Sequence, residues 1–300
     1  NKLMERPFNV TATRGTSSEI IGAILHLSNP LARLSRSETK GKAFSALGEL
    51  LWYLSEDNKL DFIKYYIPKY EDDAEGEIIY GGYGPRIFRH RGGINQLENI
   101  KKQLKQKPFS RKAVIQIFDG EDLAGNHKEI PCTCTLQFFI RDNKVHMFTT
   151  MRSNDAYLGL PHDIFAFTML QEIVANALGV EIGNYSHAVG SLHLYEDKKE
   201  DARKYLNEGR QSTNKPMPAM PVSHLWDCIE LLKLAEYRIR VENKFDIPCN
   251  SCDPYWLDLV RLLQIFSLHL LKRTGEIQKI KNEMYSRIFD TYINPKISKN

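Results

Sequence analysis

Residues 130–195 constrain the fold more than any other stretch, because apolar runs of strand and helix length there bracket side chains with chemistry. The stretch opens Ile130-Pro131-Cys132-Thr133-Cys134-Thr135-Leu136-Gln137-Phe138, passes through Met151-Arg152-Ser153-Asn154-Asp155, and closes on Gly190-Ser191-Leu192-His193-Leu194-Tyr195. Its pattern predicts a strand over 132–140, a turn over 141–144, a strand over 145–152, an apolar helix over 164–178 and a strand over 189–194. Gly179 is placed to cap the helix. Imperfect alternation in the strands is what a sheet buried on both faces produces. A cysteine after a proline on an apolar strand, an Arg-Ser pair and a His-x-Tyr suggest a thiolate nucleophile beside a bound anion.

The remaining chain reads in order as follows. A polar turn over 11–18 precedes a strand over 20–27, and Arg14 before Gly15 is either a solvated turn residue or part of a phosphate site. Spacings of three and four among Phe44, Leu47, Leu50, Leu51 and Leu54 predict an amphipathic helix over 40–54. Glu49 and Trp52 interrupt it, and a carboxylate among apolar neighbours is costly unless paired or used. A helix over 57–66 leads into an acidic loop over 71–75, most simply a solvated surface. Residues 80–86 hold too many glycines for a helix and lack the spacing of a dinucleotide loop. A helix over 95–107 precedes Ser110-Arg111-Lys112 and a strand over 113–118. Helices are expected over 197–208, 226–243, 256–272 and 276–293, with a proline-studded connector over 215–221. The helix over 256–272 is apolar nearly all round and must be buried in the main core or in a partner.

With 42% hydrophobic and 26% charged residues, 300 residues suffice to bury a substantial core. A net charge of +4, from 41 basic and 37 acidic side chains, excludes an electrostatic wrapper of nucleic acid and favours local anion pockets. No run is long and apolar enough to span a bilayer, and residues 1–10 lack an apolar h-region, so a cytoplasmic location is expected. Five cysteines, Cys132, Cys134, Cys228, Cys249 and Cys252, are expected as free thiols. Cys249 and Cys252 form a CxxC that could join Cys132 and Cys134 in a zinc site; a proline-bounded loop is the preferred reading, and no metal is expected.

In order and spacing, Pro131-Cys132 with Gln137-Phe138, Arg152-Ser153 with Asp155, Leu158-Gly159-Leu160-Pro161 and His193-x-Tyr195 resemble the thymidylate synthase family. Gly48-Glu49-Leu50-Leu51-Trp52 is similar to that family's early helix, and Ser110-Arg111-Lys112 to its Ser-Arg-Arg. The resemblance covers about residues 14–195. It implies an α+β thymidylate synthase fold, a large mixed sheet flanked by helices and dimerising through the sheet. Residues 1–300 are expected to form one domain with 222–300 as a helical extension. Two departures, Asp163 where the family has Asn and Ser191 where it has Asp, are similar to the cytidylate 5-hydroxymethylase branch.

The resemblance assigns roles to residues. Cys132 adds as thiolate to C6 of the pyrimidine, with Arg152 depressing its pKa while binding phosphate. Cys134, expected on the same strand face, is the rival nucleophile, and the Pro-Cys position favours Cys132. Arg14 and Ser153 complete the phosphate site, with Arg111 and Lys112 reaching over from the other subunit; Lys112 brings a point charge where the family has a second fork. Glu49 and Tyr83 organise water and proton transfer, while Gln137 and Ser191 belong to the nucleotide site. His193 and Tyr195 hold the sugar hydroxyl, and Asp155 and Gly159 face the co-substrate 5,10-methylenetetrahydrofolate. Asp163 reads the base. Uracil offers an acceptor at O4 and a donor at N3, which an Asn amide matches; cytosine reverses the pattern, which a protonated carboxyl matches. Such a site reaches discrimination on the order of 10⁴. The alternative for Asp163 is an ordinary N-cap before Ile164.

The expected activity is therefore hydroxymethylation of C5 of CMP or dCMP, with water rather than hydride completing the reaction. Its rivals are reductive methylation of dUMP or a cytidylate, and a nucleotide-binding regulator without catalysis.

Overall fold

The computed structural model describes residues 1–12, 14–35, 42–209, 216–246 and 252–297. Among them six strands form one sheet: β1 (Val10–Ala12), β2 (Gly15–Leu27), β3 (Val114–Gln116), β4 (Thr133–Arg141), β5 (Lys144–Asp155) and β6 (Glu181–Tyr195). Their spatial order is β1-β2-β6-β5-β4-β3. Neighbours run antiparallel except β5 and β6, which are parallel. Parallel neighbours need a long crossover, and α5 (Leu160–Leu178) supplies it, ending at Gly179 with φ 68°. β4 and β5 are joined through Asp142 and Asn143, at φ 50° and 56°, the left-handed pair that two-residue hairpin turns demand.

The other helices are α1 (Ala43–Leu54), α2 (Leu60–Tyr66), α3 (Tyr83–Phe88), α4 (Gln96–Gln106), α6 (Lys199–Asn207), α7 (Leu225–Glu242), α8 (Pro254–Leu270), α9 (Thr274–Glu283) and α10 (Asp290–Ile297). α1, expected to be amphipathic, is buried from Ala43 to Leu54 save Ser45. The reason is that α5 packs on one side of it while α7 and α8 cover another. α8 is accordingly absorbed into the main core, its Trp256, Leu259 and Leu263 buried in one cluster with Leu47 and Leu50 of α1. No helix among the described residues is long and apolar enough to cross a membrane.

Several expectations need correction. The glycine-rich segment does contain a helix: α3 begins at Tyr83, and Pro85 sits in its first turn, where a missing N–H costs nothing. Gly84 is required there because a Cβ would lie 2.8 Å from the Asp57 backbone nitrogen and oxygen. The acidic loop is a 3-10 turn, Pro68–Asp73, and Asp73 pairs with Arg14 rather than facing solvent alone. α5 starts at Leu160 with Gly159 at its N-cap, so Asp163 lies inside the first turn and is no cap. β6 starts at Glu181, well before the expected 189, because Gly183, Ser186 and a buried His187 disguise its pattern. The helix expected over 276–293 breaks after Glu283: the backbone N–H groups of Tyr285 and Ser286 donate to the buried Asp258 carboxylate at 3.0 and 2.7 Å instead of continuing the helix.

Candidate active site

Cys132 stands just before β4, and its carbonyl accepts from Arg152 N at 2.8 Å, tying the start of β4 to the end of β5. Gly190 on β6 permits this approach, since a Cβ there would lie 2.8 Å from the Arg152 carbonyl oxygen. The β4–β5 register shifts between Thr133 and Thr135, around Cys134, and of the two thiols Cys132 lies nearer Glu129. The Cys134 carbonyl instead accepts from Ile117 and Phe118 N at 2.9 and 3.3 Å.

Around the thiol lies a knot of charge that includes a residue the sequence reading missed. Glu129 accepts from Cys132 Sγ at 3.7 Å, pairs through Oε2 with Arg14 at 3.1 Å, and lies 3.6 Å from Arg152 through Oε1. Arg14 also pairs with Asp73. Arg152 donates to the carbonyls of Pro131 and Ile130 at 3.0 and 2.9 Å. Arg152 does pull the thiol pKa down, as expected, but burial outweighs it. Burial dominates and pushes the Cys132 thiol up to about 12, with Glu129 and Asp163 adding to the effect against Arg152 and Arg14. Burial likewise raises the Glu129 carboxyl, against the pull of Arg14. Only proximity in the fold could have revealed Glu129, for its place before Ile130 carries no signal of its own.

Beside the thiol, polar side chains are sunk among aromatic rings. Glu49, 6% exposed, accepts from Tyr70 and Tyr53 hydroxyls at 2.7 and 2.9 Å. Desolvation nonetheless wins over those two bonds and raises its pKa. The Tyr53 ring stacks on Tyr83 at 5.1 Å, and the Tyr83 hydroxyl accepts from Thr133 N and Oγ1 at 3.2 and 3.0 Å. Asp163 accepts from Asn154 Nδ2 at 2.6 Å. Burial, then the nearby charge of Glu49, holds its carboxyl well above the usual carboxylate range. Tyr53 is four residues after Glu49, a helical spacing that was legible; the Asn154 partner lay unassigned within the Arg-Ser motif.

The remaining predicted residues fall in three places. Ser153 and Ser191 are register partners on β5 and β6, with Ser191 donating to Glu19 of β2. His193 meets Tyr195 edge to face at 5.0 Å, and Tyr195 shares a cavity of about 390 Å³ with Arg14, Gly15, Thr16, Glu196 and Asp197. Asp155 accepts from Tyr157 and Leu158 N at 2.7 and 2.6 Å through Oδ1, while its buried Oδ2 has no partner. Gly159 lies between Asp155 and Asp163 at the start of α5. Gln137 donates to the Arg111 carbonyl at 2.9 Å. Arg111 and Lys112 are exposed beside β3, the edge of the sheet opposite the β1–β2 turn that carries Arg14, so one chain does not unite them with the other cations. Cys252 lies 3.9 Å from Cys228, sulfur to sulfur, and Cys249 falls outside the described residues. Among the described residues no group of three or more His, Cys, Asp and Glu is placed to hold a metal ion.

The mixed sheet thus brings a Pro-Cys pair, flanking arginines and a His-x-Tyr together on neighbouring strands. The thymidylate synthase family pattern matches residues 27–244, and the chain belongs to that family. The crystal structure of thymidylate synthase from T4 phage is similar in fold, with a TM-score of 0.60 and 21% identity, covering 70% of this chain and 79% of that one. Membership implies folate-dependent one-carbon transfer to a pyrimidine nucleotide, with 5,10-methylenetetrahydrofolate as the family's co-substrate.

Proposed function

We propose that the protein hydroxymethylates C5 of a cytidine monophosphate, CMP or dCMP, with Cys132 as the nucleophile. The observation that carries this reading is Asp163. Its half-buried carboxyl lies near the thiol and is pushed toward its neutral form by burial and by Glu49, and in that form it has one donor and one acceptor for the 3,4-edge of cytosine. Arg14, Arg152 and Ser153 receive the phosphate, which must compete with Glu129 and Asp73 for the two guanidinium groups. A phosphate outcompetes a carboxylate there through its higher charge and greater number of acceptor oxygens. His193 and Tyr195 hold the sugar, and Cys132 as thiolate adds to C6 to make C5 nucleophilic. Glu49, anchored by Tyr53 and Tyr70, and Tyr83 order the water and protons.

The residues present fit a folate. The unpartnered Oδ2 of Asp155 is the acceptor that a pterin's amino and N–H edge would satisfy, with Gly159 leaving room beside it. The bound folate supplies the one-carbon unit. Two further parts of the reading concern assembly. Ile21 and Ile24 on β2, 80% and 70% exposed, support dimerisation through the sheet, with Arg111 and Lys112 reaching the partner's phosphate site. The shared core of α1, α5 and α8 supports reading residues 1–300 as one domain with 222–300 as its extension.

Incubating the protein with 5,10-methylenetetrahydrofolate and each of CMP, dCMP, UMP and dUMP tests the activity. A product 30 Da heavier from a cytidylate, formed without dihydrofolate, is expected from adding a hydroxymethyl group in place of hydrogen. A methylated product with dihydrofolate, or binding without turnover, would sink the proposal.

A further inference from the structure

Behind Asp163 runs a line of buried polar groups that the mechanism above does not use. Asn154 Nδ2 donates to Asp163 Oδ2 at 2.6 Å; Asn154 Oδ1 lies 3.2 Å from His187 Nε2; and His187 Nδ1 lies 2.6 Å from the Tyr185 hydroxyl. Asn154 is 4% exposed, His187 0% and Tyr185 1%. The line crosses from one strand to the next, for Asn154 sits on β5 while His187 and Tyr185 lie on β6, two residues apart and on the same face.

Each group has a definite hydrogen-bonding state. Burial drives the His187 pKa down to about 4, so the ring is neutral and holds one donor and one acceptor nitrogen. Burial also keeps the Tyr185 phenol protonated. With the phenol donating to Nδ1, the proton of His187 sits on Nε2 and is given to Asn154 Oδ1, which turns the amide nitrogen toward Asp163.

A neutral carboxyl has one proton and two oxygens. Free to choose, it fits a 4-amino, N3-acceptor edge and a 4-oxo, N3–H edge equally well by moving that proton from one oxygen to the other. We propose that Asn154, braced by His187 and Tyr185, is a specificity-determining positioning residue: its amide donates to Oδ2 of Asp163, confining the carboxyl proton to Oδ1 and giving Asp163 one fixed donor and one fixed acceptor. The inference rests on the reading that Asp163 faces the base. On the cytidylate reading, Oδ2 accepts from the 4-amino group and Oδ1–H donates to N3.

The test is equilibrium binding of CMP, dCMP, UMP and dUMP, by calorimetry, to the wild type and to Asn154→Ala, Tyr185→Phe and Asp163→Asn, with melting temperatures taken alongside. Loss of a merely structural contact lowers all four affinities together and leaves the cytidylate-to-uridylate ratio unchanged. Confinement of the proton predicts instead that Asn154→Ala moves the ratio about tenfold toward unity, since a pinned donor and acceptor become interchangeable. Tyr185→Phe, which keeps the ring and removes one hydroxyl, should move it the same way by about threefold. A ratio within twofold of the wild type in folded Asn154→Ala overturns the proposal, and if that variant does not fold, an unchanged ratio in Tyr185→Phe does so. A ratio that shifts in Asp163→Asn but not in Asn154→Ala defeats this inference and leaves the base-reading role of Asp163 intact. A ratio unmoved by Asp163→Asn defeats both. If the wild type prefers uridylates, the cytidylate reading fails, and the proton-confining role is judged by the same shift toward unity.

Discussion

At the residue scale the surroundings of Cys132 work against its ionisation. Burial holds the Cys132 thiol protonated, outweighing Arg152, which pulls the other way as expected, and the adjacent Glu129 adds to the burial. The sign follows directly: a thiol whose pKa is pushed up to about 12 is almost wholly neutral at pH 7, and its thiolate fraction grows tenfold with each pH unit up to that value. Alkylation of Cys132 by iodoacetamide, followed by peptide mass spectrometry, should therefore accelerate steadily from pH 7 to pH 10 without a plateau. Replacing Glu129 by Gln removes one of the charges that raise the thiol, so alkylation at pH 8 should quicken by about fivefold or more. A rate that is unchanged or slower in Glu129→Gln would show that the carboxylate does not restrain the thiol. Adding a nucleotide monophosphate that displaces Glu129 should mimic the substitution only if the base leaves the thiol accessible, so the comparison is cleanest with the apo protein.

At the scale of elements, the C-terminal helices depend on a single carboxylate. Asp258 on α8, 2% exposed, accepts from Tyr285 N, Ser286 N and Arg261, and thereby stops α9 and redirects the chain toward α10. Asp258→Ala leaves two part-buried backbone donors without their acceptor and Arg261 with only Glu283, at 3.8 Å. A loss of about 2 kcal/mol, or a fall of about 3 °C in Tm, is expected by thermal denaturation. A change of under a degree would mean that other groups satisfy those donors. The same carboxylate explains why periodicity misled over 276–293: the apolar spacing continues across the break, whereas the competing acceptor belongs to another helix. The helix at Tyr83 was hidden for a related reason, because its glycines answer to the approach of Asp57 from a neighbouring element and not to local propensity.

At the scale of the whole molecule, Ile21 and Ile24 leave an apolar surface on β2 that a second sheet would cover. Ile24→Asp would place a charge in that contact, and sedimentation should then show the monomer fraction rising by about tenfold or more at micromolar concentration. Equal sedimentation of the variant and wild type would count against association through this surface. Because Arg111 and Lys112 lie at the edge of the sheet away from Arg14, the monomeric variant should also lose nucleotide affinity.

By itself the sequence determined the two strands and the crossover helix that follow Cys132, the end of β6, and the buried helix over 256–272. These features are encoded in local apolar periodicity and in motifs of fixed spacing, which survive without a fold. Roles that depend on residues distant in the chain were decided by tertiary structure alone. Burial, with the approach of Glu129 and Arg152, set the state of the thiol, and α7 and α8 turned an amphipathic α1 into a buried one. Asp163 spans both kinds. Its position in the motif was legible, but its protonation depends on Glu49 from α1, Asn154 from β5 and the exclusion of water, none of which a linear pattern encodes.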